Sequence, residues 1–73
     1  MSNSILYLQV EPAFITDINR IFEGYEHLAL VSTIDRVAGI VQLRATPDTM
    51  PEVLKIVEHL PVTAKVLTDF KEV

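Results

Sequence analysis

The sequence predicts an α+β fold, with four strands and two helices in the order strand, helix, strand, strand, helix, strand. Three observations carry that prediction. Apolar residues recur at helical spacing in two places, around residues 14–22 and 50–60. Short runs rich in β-formers flank both stripes. A connection of hairpin length, ending in Gly39, separates the second run from the third.

Residues 5–10 (ILYLQV) form the first strand. Alternation sets Leu6, Leu8 and Val10 on one face and Ile5, Tyr7 and Gln9 on the other. Pro12 suits the first turn of a helix, where its missing N–H costs nothing. Phe14, Ile18, Ile21 and Phe22 then make one apolar stripe, and Gly24 stands where a left-handed cap would end a helix over 12–23. Residues 28–34 read as the second strand, and residues 40–45 as the third, with Val41, Leu43 and Ala45 inward. Thr49 and Glu52 have the spacing of a capping box. Met50, Val53, Leu54, Val57 and Leu60 form the second helical stripe, stopped by Pro61. Residues 62–70 read as the fourth strand, with Ala64, Val66 and Phe70 on its inward parity.

Two strand–helix–strand units joined by a hairpin give a ferredoxin-like sandwich, a four-stranded antiparallel sheet with both helices on one face. The expected core is Leu6, Leu8, Phe14, Ile18, Phe22, Val41, Leu43, Val53, Leu54, Val57 and Val66. The 73 residues are enough for a single domain over 1–73, and 49% hydrophobic content suffices to fill its core.

Composition narrows the function. No cysteine means no disulfide framework, thiolate zinc site or thiol nucleophile, and it suits a reducing cytoplasm. A net charge of -4 argues against nucleic acid as partner. No apolar run is long enough to span a membrane, and no basic leader precedes the first strand. His27 and His59 lack a third ligand at metal spacing. Glu23, Glu26 and Asp35 are the carboxylates nearest to an acid–base set, but they flank a cap and a turn and read as solvated. Ser32 and Thr33 have no adjacent base, and Gly24 and Gly39 stand alone without a phosphate cradle. The expectation is a protein that is not an enzyme and needs no cofactor.

Two surfaces invite a partner instead. Strand parity puts Ile5, Tyr7, Val31, Thr33, Ile40, Gln42, Arg44, Lys65 and Leu67 on the sheet face opposite the helices, an unusually apolar set. In this strand order the second and fourth strands are the edges. The fourth carries Lys65 and Asp69, whereas the second offers Leu28, Ala29, Leu30, Val31, Ser32 and Thr33 without a charge or proline. The candidate interface residues are therefore Tyr7, Leu28, Leu30, Val31, Thr33, Ile40 and Leu67. The expected partner is a second copy, with a dimer favoured.

The element order over nearly the whole chain is similar to ACT-type modules. The strings FEGYE at 22–26, LVSTID at 30–35 and TPDT at 46–49 resemble more closely a family of short, uncharacterised bacterial proteins, a domain of unknown function. That resemblance covers roughly residues 5–68 and rests on structural punctuation, without a catalytic signature. The ACT likeness implies, as an alternative, a small-molecule (amino-acid) sensor whose ligand sits at a subunit interface by the first strand–helix loop. Here that loop is Glu11, Pro12 and Ala13, with a carboxylate and no glycine.

Overall fold

The computed structural model describes residues 4–67. Its elements follow the expected order: β1 (Ser4–Gln9), α1 (Ile15–Glu23), β2 (Ala29–Asp35), β3 (Ile40–Ala45), α2 (Met50–Glu58) and β4 (Lys65–Leu67). The strands form one antiparallel sheet in the order β2-β3-β1-β4, which makes β2 and β4 the edges. This is the ferredoxin-like α+β arrangement. Phe70 and Asp69, expected in the last strand, lie outside the described residues.

Register assigns the faces. Leu6 pairs with Leu43 and Leu8 with Val41, and directly opposed residues point to the same side. On that side Leu8, Val10, Ala29, Val41, Leu43 and Ala45 join Ile15, Ile18 and Phe22 of α1 and Val53 of α2 in one buried core. Both helices therefore cover the same face. Each fully buried Leu, Ile or Phe contributes about 1.5–3 kcal/mol relative to exposure.

The first stripe changes at its head alone, where Ile15 takes the place expected of Phe14, while Ile18 and Phe22 are buried as expected. Residues Pro12–Phe14 form a 3₁₀ turn, and the α-helix proper begins at Ile15. The tighter winding leaves Phe14 half-buried and carries Ile15 into the core. Leu54 and Val66, expected in the core, are 40% and 38% exposed. Val66 opposes Leu8 on the inward side, but its place on the short edge strand β4 leaves it partly open. Leu54 yields its place on α2 to Ile56, which packs against the core with Val57 and Leu60.

Gly24 is not left-handed. It caps α1 at φ -74° and ψ -9°, inside the right-handed region, because the chain continues into further turns rather than reversing. The Tyr25 amide bonds to the Phe22 carbonyl, and the Leu28 amide to that of Tyr25. The described residue with positive φ is Gly39, at 77°.

The capping box lies one turn earlier than expected. Thr49 has right-handed backbone angles and makes no side-chain cap, so it does not pair with Glu52. Instead Thr46 Oγ1 accepts the Thr49 amide at 3.3 Å, and Thr49 Oγ1 accepts the Thr46 amide at 3.1 Å. The two threonines satisfy each other reciprocally, as Ser/Thr and Glu do in the usual box. The Thr49 hydroxyl also donates to the Leu28 carbonyl at 2.9 Å, which ties the entry to β2 to the start of α2.

Candidate interaction surface

The edge of β2 is built by a run of mostly small and β-branched residues that, among the described residues, pairs with β3 alone. From Ala29 to Thr33 the ladder is regular: Ala29 opposes Ala45, Leu30 opposes Arg44, Val31 opposes Leu43, Ser32 opposes Gln42 and Thr33 opposes Val41. The register then shifts between Thr33 and Asp35, leaving Ile34 as an extra residue on the edge strand. Asp35 closes the hairpin, its Oδ1 accepting the Val37 and Ala38 amides at 3.0 Å each. The strand's other side borders α1 in a groove of about 340 Å³ lined by Asn19, Phe22, Glu23, Glu26, Leu30 and Thr33, among others.

This register corrects one expectation. Val31 and Thr33 oppose the inward residues Leu43 and Val41, so they lie on the helix side of the sheet. Leu30 and Ser32 take the open side, and Leu30 is 59% exposed. Ala29 is the residue buried in the core, at the point where α1 comes against β2. A short residue fits where a helix crosses closely, and that inverts the parity a hydrophobicity pattern suggests.

The open face is less available than its composition implies. Ile40 is 8% exposed and Gln42 5%, so neither offers contact area. Gln42 sits on β3 between Tyr7 and Ser32, and its Nε2 donates to the Tyr7 hydroxyl at 3.2 Å. Tyr7 is half-buried, as is Leu67, its opposite on β4. A buried amide bonded to a phenol makes the middle of this face a fixed polar contact. Leu28 lies in the turn before β2, half-buried, with its carbonyl engaged by Thr49. Of the seven interface candidates, the structure gathers Leu30, Val31 and Thr33 along the β2 edge, Leu28 just before it, and Tyr7, Ile40 and Leu67 across the open face.

The titratable residues do not converge. Among the described residues no group of three His, Cys, Asp or Glu side chains could hold a metal ion. His27 is exposed with its ring 6.4 Å from that of Tyr25, and His59 Nδ1 lies 2.8 Å from the Lys55 carbonyl. Glu23 and Glu26 share the groove beside β2, but Asp35 is committed to the hairpin turn. The polar pair Tyr7–Gln42 and the ends of the β2 edge were not visible as sites in the sequence, because both depend on which residues the register sets side by side.

Similarity to known proteins leaves the activity open. No curated protein and no solved structure matches the chain. A family model does, over most of its length, and it spans both helices, β2 and β3. The chain belongs to the family described as Domain of unknown function (DUF4911), whose model matches residues 8–63.

Proposed function

We propose that this chain is a non-catalytic, self-associating module, a homodimer joined through the edge of β2, with a regulatory or assembly role in the cytoplasm. The observation that carries the reading is the contrast between the two edges. β2 presents Ala29 through Ile34 with no charge or proline, Leu30 stands 59% exposed, and among the described residues the strand pairs with β3 alone. β4 as described is three residues long and carries an exposed Lys65. An uncharged edge of that length pairs readily with another strand, and a second copy is the partner always at hand. The non-catalytic part is supported by what the polar side chains do. Asp35, Thr46, Thr49 and Gln42 all make hydrogen bonds that hold turns or strands together.

Light scattering at micromolar concentration tests the reading, with a dimer mass expected and a monomer mass overturning it. Val31→Pro, which places a proline in the edge strand, should yield a folded monomer, while Tyr7→Lys on the open face should stay dimeric. The reverse outcome would move the interface to the open face.

A second reading, a small-molecule sensor, is favoured by one feature. A groove of about 610 Å³ opens beside the β1–α1 connection, lined by Gln9, Val10, Glu11, Pro12, Phe14 and Thr63. A thermal-shift screen against amino acids and nucleotides, read against Glu11→Gln, tests it.

A further inference from the structure

We infer that the groove between the two helices binds a small amphiphilic carboxylate, an apolar chain or ring ending in one negative charge, held at the rim by Lys55 and His59. The groove has a volume of about 450 Å³ and shares no lining residue with the groove beside β2 or the one at the β1–α1 connection. Neither self-association through β2 nor a ligand at that connection is needed for it.

Three pairs of residues one turn apart build the site. Ile56 and Leu60 follow one row of α2 and the turn after it, and Lys55 and His59 follow the neighbouring row. Ile21 and Tyr25 face them from α1 and the turn beyond its end. Ile21, Ile56 and Leu60 are half-buried against the core and form an apolar floor. The Tyr25 ring makes a wall, set edge-on to Phe22 at 6.5 Å and 6.4 Å from the ring of His27. An apolar hollow with a few polar groups at its margin is the usual form of a small-molecule site.

Charge selects the ligand. Lys55 and His59 are both exposed, and no carboxylate lines this groove, although the chain has ten acidic residues against six basic. The other two grooves carry the opposite sign, Glu23 and Glu26 beside β2 and Glu11 at the β1–α1 connection. The last carbonyls of α2 would repel an anion, but donors of the chain itself occupy them. The Lys55 carbonyl accepts from His59 Nδ1 at 2.8 Å, that of Ile56 from the His59 amide at 3.1 Å, and that of Val57 from the Leu60 amide at 3.3 Å. The first of these bonds also fixes the imidazole ring beside the Lys55 stem. A carboxylate at this rim lays its apolar body on Ile21, Ile56 and Leu60. Burial of that body supplies the affinity, and the basic rim supplies the preference for a negative head.

An amide-resolved NMR titration of the full chain with octanoate, octanol and octylamine tests the site. Octanoate should shift the amides of Ile21, Tyr25, Ile56 and Leu60 and bind about threefold more tightly than octanol, with octylamine the weakest. Lys55→Gln should abolish the preference for octanoate, and Lys55→Glu should reverse it in favour of octylamine. The same spectra report whether each variant is folded. No binding, equal binding of the three, shifts centred on other residues, or an order indifferent to both variants overturns the inference. So does binding to phosphatidylglycerol vesicles without binding to octanoate, which would make the occupant a membrane surface.

Discussion

Gly39 and Val10 lock the β2–β3 hairpin to the end of β1. The Val10 amide donates to the Gly39 carbonyl at 2.8 Å, while the Gly39 α-carbon sits so close under the Val10 carbonyl that a Cβ there would overlap its oxygen. With φ at 77°, the position rejects a side chain for two separate reasons. Val10 is itself in the core, so the contact fixes where the hairpin lies against the first crossover.

Gly39→Ala should therefore destabilise the protein by more than about 2 kcal/mol, combining left-handed strain with steric overlap. Gly24→Ala should do the opposite. Its right-handed backbone and the ordinary 3.4 Å spacing from a built Cβ to the Ile21 carbonyl leave room for a methyl group. A gain of about 0.4–1 kcal/mol follows from the less flexible unfolded chain. Urea midpoints of the two variants should move in opposite directions, and a parallel shift would refute the assignment.

Leu43→Ala and Leu54→Ala separate core from surface on residues of one chemistry. Leu43 is fully buried between β1 and β2, so its truncation should cost about 2–5 kcal/mol, a large share of what a small domain has. Leu54, 40% exposed on α2, should cost below about 1 kcal/mol. Equal losses in thermal or urea unfolding would show that the α2 stripe is rotated.

Thr49→Val keeps the shape and removes the hydroxyl that bonds to the Leu28 carbonyl and to Thr46. A loss of about 1–2 kcal/mol is expected. Glu52→Gln should be close to neutral, because Glu52 is not part of the reciprocal cap. A larger loss at Glu52 than at Thr49 would restore the later capping box.

Most of the architecture was legible because two strands alternate cleanly. Leu6, Leu8 and Val10, then Val41, Leu43 and Ala45, allow a single choice of inward face. The second strand does not alternate, and its parity turned on α1 lying against Ala29, a tertiary fact that no pattern of seven residues encodes. The cap was displaced for a related reason: Thr46 and Thr49 match each other as well as Thr49 and Glu52 do, and the backbone angles at Thr49 decide between them. The edge itself was legible from the absence of charge, whereas its length was not, since a single-residue bulge leaves no mark in composition.

That bulge also acts as a ruler. With Ile34 inserted, β2 is one residue longer than the stretch of β3 it accompanies, and the added twist turns the strand away from any flat continuation. Along β2 the regular ladder extends over five residues, Ala29 to Thr33, and the bulge follows at the sixth. The edge is thus finite, with a set length and two ends, unlike the indefinite flat template on which fibrils grow.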